Sequence, residues 1–326
     1  MSIWLHSGSD TINGDSAMSP PREHFSTTIP FLQFAWDSTS LGDFKACPRK
    51  YYYTQIENWV PRKSSFHLTF GIWFHAGPEK YDKLRAEGQG HEEALRGAVR
   101  FALEGTEDWV SDDPKNVKTR ESLIRSLVWY LEQYENDPLE TVILPSGKPA
   151  VELSFRFNLD LGFSSGEKVL LCGHLDKVAK LSGRKYICDK KTTGSAISDW
   201  FFHGFSPHGQ MSLYTLAGQI VLDEPVAGLI IDAAQIGVTF SRFQRGFVHR
   251  TPVQTDEFLR DLECILQDAE RCAQRQYWPM NDASCGQYGG CKFREICGRD
   301  PSVREAFLKA NFEKREWNPL SSRGED

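Results

Sequence analysis

The chain has 326 residues, of which 40% are hydrophobic, and with nine Trp and 21 Phe it is long and apolar enough to bury a sizeable core. Its net charge is −6 and its pI is about 5.9, which argues against a surface that is basic all over, although a local cationic groove can lie within an acidic total. The longest apolar stretch, VAGLIIDAAQIGV, is interrupted by Asp232 and is too short to span a bilayer, so the sequence predicts a globular cytoplasmic protein with no membrane segment.

The N-terminal part of the chain predicts a tail followed by a helix. Residues 1–35 are polar and punctuated by Pro and Ser, and we expect a flexible tail there. The stretch 36–59 predicts one amphipathic helix with Ser38 or Ser40 as its cap. A helical insertion of about 70–145 follows, with helical patterns at about 70–86, 91–104 and 118–135.

After residue 150 the hydrophobic period changes from helical to alternating. VELSFRFNL alternates apolar and polar residues as a half-buried strand does, and KVLLCGHLD and RKYICDKK predict a hairpin that turns at Ser182 and Gly183. The remaining predicted elements are a helix near 209–222, a strand pair near 226–250, a helix at about 255–276, a cysteine segment at 285–297 and a C-terminal helix or tail at 301–326. Helices before and after a small mixed sheet predict an α/β or α+β domain.

Carboxylates end both strands of the predicted hairpin. Because strand side chains alternate, Asp189 and Lys191 project to one face while Lys190 projects to the other. An in-register hairpin places Asp176 across from them. Two crowded carboxylates with a lysine are typical of a proton-sharing dyad, a hard-metal site or a salt-bridged surface pair, and an ordinary solvated hairpin end is the alternative.

Two further helical signals are weak when taken alone. QMSLY places Gln210 and Tyr214 four residues apart, on one helical face, where a tyrosine usually packs in the core. FGIWFHAGPEKY places His75 among aromatic residues in an earlier helix, where a lone histidine is usually a core residue.

The eight cysteines divide into two groups of four. Cys285, Cys291 and Cys297 lie in a segment without strand or helix period, and with Cys47 they supply four thiolates that suit Zn²⁺ or an iron-sulfur cluster equally. The others lie inside strand or helix patterns and are predicted to be buried thiols; they are Cys172, Cys188, Cys264 and Cys272.

In chain order, CPRKYYY, GIWFH, VELSF, GHLD, DKK, QMSLY and the terminal cysteines resemble the RecB-like branch of the PD-(D/E)XK nuclease superfamily over residues 36–300. The nearest likeness is to its iron-sulfur versions, found in phage nucleases, CRISPR-associated nucleases and AddB-type recombination subunits. The resemblance implies a restriction-endonuclease-like core, in which a small mixed sheet is flanked by helices and a four-cysteine cluster joins the two ends of the domain.

The resemblance also implies roles for single residues. His75, Asp176 and Asp189 would bind a divalent cation, Mg²⁺ or Mn²⁺, and Lys191 would be the base or the group that orients the water. Gln210 and Tyr214 match the Q-x-x-x-Y motif, which supports the site and contacts DNA. For Glu152 the family pattern implies a supporting position. The cofactor at Cys47, Cys285, Cys291 and Cys297 would be a 4Fe-4S cluster, with Zn²⁺ as the alternative.

The function expected from these features is a metal-dependent deoxyribonuclease, an exonuclease that acts on DNA ends or single strands. Arg49, Lys50 and Tyr51 are candidate DNA contacts, although solvated or packing roles suit them as well. The resemblance implies a helicase, recombination or CRISPR-adaptation protein as partner. Two alternatives remain, a non-catalytic iron-sulfur DNA-binding or assembly subunit and a zinc-ribbon regulator whose C-terminal cysteines fold as a separate module.

Overall fold

A computed structural model describes residues 22–63, 65–287 and 290–321. The helices in these ranges are α1 (Ser38–Ala46), α2 (Pro48–Tyr51), α3 (Phe66–Ala86), α4 (His91–Gly105), α5 (Arg120–Gln133), α6 (Asp199–His203), α7 (Gly209–Leu222), α8 (Pro252–Arg275), α9 (Arg294–Cys297) and α10 (Pro301–Asn311). The strands are β1 (Ala35–Trp36), β2 (Trp59–Pro61), β3 (Glu140–Thr141), β4 (Val151–Gly162), β5 (Lys168–Leu181), β6 (Arg184–Thr193), β7 (Leu229–Ile236), β8 (Ser241–Val248) and β9 (Phe312–Lys314).

The central sheet is mixed and is built around the long strand β5. Its strand order is β1-β5-β6-β7-β8, with β3 and β4 also paired to β5. Among the strands of the described residues, only the pairs β1/β5 and β6/β7 are parallel. The second, small sheet pairs β2 with β9 near the two ends of the described chain. This is the mixed sheet that the sequence predicts.

The hairpin predicted from KVLLCGHLD and RKYICDKK is present and is longer than the prediction. β5 and β6 pair antiparallel from Leu181 opposite Arg184 to Lys177 opposite Cys188. Ser182 and Gly183 both have positive φ, 48° and 80°. Two positive φ values define the tight turn whose twist matches that of the flanking strands, which explains the short loop.

Helices cover both faces of the sheet. On one face α1, α7 and α8 enclose the larger core with strand residues such as Phe155, Leu171 and Ile187. On the other face α3, α4 and α5 form a second core, in which Phe70 and Leu127 pack with strand residues Ala234 and Ile236. Helices α3, α4 and α5 account for the helical patterns predicted at 70–135. Both faces of the sheet are therefore covered by helices.

The prediction of a flexible tail at 1–35 is wrong for residues 22–35. Residues 22–35 pack on the domain, with Leu32 and Phe25 buried and Phe25 bridged to Gln33. Gln33 Oε1 accepts a hydrogen bond from Tyr51 at 3.0 Å. A segment without a strand or helix period gives no local signal of such packing. Residues 1–21 of the predicted tail lie outside the described residues.

The single helix expected at 36–59 is broken in two. Its cap is Asp37, which accepts from Ser40 N at 2.8 Å, while Ser40 Oγ accepts from Asp37 N at 3.1 Å. At Cys47 the backbone leaves the helical conformation and becomes extended, with φ −167° and ψ 117°. The next residue is Pro48, and proline disfavours the helical conformation of the residue before it. A short α2 and one wide helical turn over Tyr52–Ile56 follow.

The C-terminal cysteine segment is packed against the N-terminal part of the domain. Phe293 lies 5.0 Å from the ring of Tyr53 and stacks 5.0 Å from Phe312, and Trp59 belongs to the same buried cluster. With β9 paired to β2, this contact argues against the separate zinc-ribbon module that was one alternative. Among the described residues, no helix is long and apolar enough to cross a membrane.

Candidate active site

Asp176 lies at the point where β5 separates from β6. On this edge of β5, β1 pairs with Leu170 and Leu171, and β6 pairs only from Lys177 onward. Asp176 Oδ2 accepts a hydrogen bond from the backbone N–H of Lys190 at 2.9 Å, in place of a strand partner. The notch between the two strands therefore opens at a carboxylate.

His75 reaches this notch from α3. Its Nδ1 lies 3.3 Å from Asp176 Oδ2, and the imidazole and carboxylate side chains are 31% and 18% exposed. The histidine is thus at the site edge, where solvent and a substrate can reach it. The alternative interpretation, in which His75 is a buried core residue, does not agree with its 31% exposure.

Asp189 and Lys191 project together from the C-terminal half of β6. Lys191 Nζ lies 2.6 Å from Asp189 Oδ2, and the Asp189 side chain is 2% exposed. Lys191 Nζ also donates to Gln210 Oε1 at 3.1 Å. The alternation of side chains along the strand therefore brings this acid and this lysine to one side, as the sequence predicts.

Gln210 and Tyr214 extend the hydrogen-bond chain along the first turns of α7. Gln210 Nε2 donates to the Tyr214 hydroxyl at 3.0 Å, one helical turn away. Burial raises the pKa of Tyr214, and the negative charges of Asp189 and Asp176 add to the shift. The phenol therefore stays neutral and lies near both acids.

The charges of the notch are mutually dependent. Burial alone would raise the pKa of Asp176, but His75, Lys191 and the Lys190 N–H lower it below its ordinary value. Burial raises the pKa of Asp189, against the effect of Lys191 and with the effect of Asp176. For Lys191, burial would lower the pKa, but Asp189 and Asp176 raise it. The site holds a half-buried ammonium near two carboxylates whose pKa values are shifted in opposite directions.

Lys190 lies on the opposite face of β6, as its register predicts. It is 5% exposed, beneath α3 and α5, and the charges of Asp82, Asp232 and Asp176 raise its pKa against the effect of burial. The ambiguity between the two lysines of DKK is therefore resolved, because only Lys191 enters the notch.

A network of buried charges surrounds Lys190 on this second face. Lys177 Nζ contacts Asp82 Oδ1 at 3.0 Å, and the Tyr130 hydroxyl donates to Asp232 Oδ2 at 2.6 Å. Arg245 donates to both oxygens of Asp137, each at 2.7 Å. Sequence reasoning missed this network, whose members are scattered over more than 160 positions.

Comparison with known proteins identifies the chain. The sequence model of the PD-(D/E)XK nuclease superfamily matches residues 36–298. The chain belongs to this superfamily. No curated protein matches it. A solved structure from Eubacterium rectale, entitled "Putative exonuclease", is similar with 13% identity and a TM-score of 0.48 over 78% of this chain and 86% of that one. SSO0001 is similar with 14% identity and a TM-score of 0.37 over 82% and 86%.

PD-(D/E)XK nucleases generally use divalent metals, and the donor types of the notch, two carboxylates and an imidazole, suit a hard cation such as Mg²⁺ or Mn²⁺. Within the described ranges, however, no three His, Cys, Asp or Glu side chains are arranged to share one ion. Lys191 lies against Asp189, and His75 lies against Asp176. In this arrangement the Oδ2 atom of each carboxylate is in contact with its neighbouring side chain.

The four cysteines expected to bind a cluster line a single cavity of this nuclease. The cavity has a volume of about 620 Å³ and lies between α1, α2 and the C-terminal segment; Cys47, Cys285, Cys291 and Cys297 are all in its wall. The backbone N–H of Asn281 donates to Cys47 Sγ at 3.2 Å. The four-thiolate donor set and the free volume suit a multinuclear cluster, but no described cysteines are arranged to share a single metal ion.

The second group of cysteines is buried only in part. Cys172 and Cys188 are buried in the sheet, as expected. Cys264 is exposed and Cys272 is half-buried, both on α8, so the prediction of four buried thiols is wrong for these two. Helix α8 buries one face, which includes Leu262 and Leu266, and Cys264 lies between them on the opposite face.

The candidate DNA contacts next to Cys47 have packing roles. Tyr51 is 1% exposed and stacks on Trp36, and Lys50 pairs with Asp43 at 2.8 Å. Arg49 Nε donates to Trp278 O at 2.7 Å. The side chains of Arg49, Lys50 and Tyr51 therefore make contacts inside the domain, as the alternative to a DNA-binding role predicted.

Glu152, for which the family pattern implied a supporting position, lies beside Asp176 in the sheet. Its neighbours Val151 and Leu153 pair with Lys177 and Leu175. The φ of Glu152 is 50°, a left-handed conformation that costs a non-glycine residue of order 1 kcal/mol or more and is found often at functional sites. The sequence contains no signal for this conformation.

Proposed function

We propose that this protein is a metal-dependent deoxyribonuclease, an exonuclease that hydrolyses phosphodiester bonds at DNA ends or in single strands. The observation that carries the proposal is the convergence of Asp176, Asp189 and Lys191 in one notch, with 2.6 Å between the last two. A DNA-binding subunit without activity would need neither the convergence of these three charges nor the burial of Asp189. The nuclease is therefore favoured over the non-catalytic alternative.

Each residue of the notch has a part in this proposal. Asp176 and Asp189, with His75 at the edge, would hold Mg²⁺ or Mn²⁺, which would supply a water of lowered pKa and neutralise charge on the phosphate. The ammonium group of Lys191 contacts Asp189 and Gln210. Because an ammonium has three N–H donors, it can donate a further hydrogen bond to a water or a phosphate oxygen. Gln210 and Tyr214 fix the direction of that ammonium through their chain of hydrogen bonds.

The same proposal includes a 4Fe-4S cluster at Cys47, Cys285, Cys291 and Cys297, with Zn²⁺ as the alternative. It is supported by the single cavity that all four thiols line. A cluster there would join the break between α1 and α2 to the C-terminal segment. Its role would be structural, because it would close a loop that contains most of the domain.

An assay with uniformly labelled DNA tests the nuclease. Linear single-stranded, linear double-stranded and circular single-stranded DNA are incubated with Mg²⁺, with Mn²⁺ and with EDTA. We expect metal-dependent release of mononucleotides or short products from linear DNA and little cleavage of the circle. Asp189→Asn, which keeps the shape of the side chain, should abolish release, whereas Lys180→Ala, at the far end of β5, should not. Equal cleavage by wild type and Asp189→Asn would contradict the proposal.

A further inference from the structure

Two cations from separate elements meet at the start of α7. Lys45 Nζ, from the last turn of α1, lies 3.5 Å from the point that a Cβ on Gly209 would occupy. Lys191 Nζ, from β6, lies 3.1 Å from Oε1 of Gln210, the next residue. The side chain of Lys45 is thus placed at the helix turn that also contacts the catalytic lysine.

A third cation reaches the same turn from the segment after β8. Arg250 Nε donates to Ser212 Oγ at 3.1 Å, and its Nη2 donates to Phe205 O at 2.9 Å. His208 precedes the helix, and burial together with the positive charges of Lys191, Lys45 and Arg250 lowers its pKa. All three cations therefore lie close enough to His208, the residue before α7, to influence it.

Only one of the three cations is compensated by an acid. Lys191 contacts Asp189 at 2.6 Å, but within the described ranges every hydrogen bond of Arg250 goes to a neutral oxygen. Lys45 is exposed and has no ion pair among the described residues, whereas Lys50 nearby is paired with Asp43. The first turn of α7 contains no acidic residue. Two cations without an acidic partner among the described residues, Lys45 and Arg250, therefore lie beside this turn.

Convergent like charges repel one another, and an anion placed between them removes that cost. The anion that reaches this point together with the notch is the next phosphate along a DNA strand, because Lys191 and Gln210 belong to both places. We propose that Lys45 and Arg250 form a subsite for a backbone phosphate adjacent to the one held at Lys191. This inference rests on the proposed function, and it adds residues outside the family motifs to the substrate-binding surface.

Salt-dependent binding tests the subsite. Affinity of the full chain for a fluorescein-labelled oligothymidylate is measured by anisotropy between about 50 and 200 mM NaCl, with EDTA to prevent cleavage. Each phosphate contact contributes about 0.7 to the slope of log affinity against log salt for a single strand. We expect Lys45→Ala to lower the slope by about that amount, with equal weakening for oligonucleotides of other sequence.

Two variants serve as controls. Lys180→Ala removes the same charge from the exposed far end of β5 and should leave the slope unchanged, while Lys45→Arg should keep it. Arg250→Gln should lower the slope by a similar amount, with an unfolding temperature near that of wild type as the check on its loop contacts. Wild-type binding with the same slope in Lys45→Ala overturns the subsite alone. Absence of DNA binding by wild type overturns the proposed function as well.

Discussion

The carboxylate of Asp176 accepts a hydrogen bond from the backbone N–H of Lys190, with 2.9 Å between Oδ2 and N. This bond joins the two strands of the site just beyond the last regular pair, Lys177 with Cys188. The bond uses only the backbone of Lys190, and because side chains alternate along a strand, those of residues 190 and 191 point to opposite faces of the sheet. One lysine therefore belongs to the notch and the other to the buried network beneath α3 and α5.

Lys191→Ala should lower turnover and leave DNA binding largely in place. The side chain lies between Asp189 and Gln210, where it can hold the reacting groups, and loss of one such donor lowers turnover by roughly a hundredfold or more. Single-turnover cleavage with saturating enzyme, combined with anisotropy for binding, separates the two effects. Equal losses in affinity and cleavage would show that Lys191 is only a contact residue.

Lys190→Ala should destabilise the fold, in contrast to Lys191→Ala. Removing a buried cation leaves the acids Asp82 and Asp232 with less compensation, and breaking a buried ion pair costs about 3–5 kcal/mol. Urea unfolding of wild type and both variants measures the difference. A Lys190→Ala protein as stable as wild type would mean that Lys177 and Arg245 suffice to balance the acids of this face.

His24 should make stability depend on pH through the packed segment 22–35. It is 2% exposed, and burial, with the charge of Arg22, lowers its pKa to about 4 from an unfolded value of 6.5. The unfolded chain therefore takes up this proton first as pH falls, and stability present above pH 6.5 is lost progressively down to about pH 4. At about pH 5 the loss from this group is about 2 kcal/mol.

The control for this pH effect is His24→Gln, which cannot take up a proton. Urea unfolding at about pH 7.5 and pH 5 should show a smaller loss of stability in the variant than in wild type, by about 2 kcal/mol. Identical pH dependence in the two proteins would contradict the burial of His24, and with it the packing of the segment that the sequence assigned to a tail.

Cys47→Ser should remove bound metal together with stability. If the four thiols of the cavity hold a 4Fe-4S cluster, anaerobically purified protein is brown and contains about four irons per chain. Each of the four single variants should lose iron, since every ligand is needed. Cys264→Ser, an exposed position on α8, is the matched control and should keep it.

The results of the cysteine experiment distinguish three assignments. Colourless protein with one tightly held zinc would replace the cluster by Zn²⁺ and keep the four ligands. Iron retained in Cys47→Ser but lost in Cys272→Ser would refute the ligand set. In that case α1 and the C-terminal segment would be joined by packing alone, through contacts such as Tyr53 with Phe293.

Features that depend on near neighbours in the chain were determined by the sequence itself. Ser182 and Gly183 specify a two-residue turn, and that turn fixes the register of β5 against β6. The alternation of side chains then separates Lys190 from Lys191. The hydrophobic pattern likewise located α3, α7 and α8 to within a few residues. Helices α3 and α8 each bury one face along most of their length.

Only the tertiary structure decided which residues that are distant in the sequence lie close together in space. Lys45 and Arg250 approach α7 because helix packing on the sheet, not any local pattern, sets where their side chains end. The packing of residues 22–35 and the left-handed Glu152 beside Asp176 depend in the same way on long-range contacts. Hydrophobic periodicity describes only residues within one helix or strand. It therefore holds no information on which distant elements come into contact.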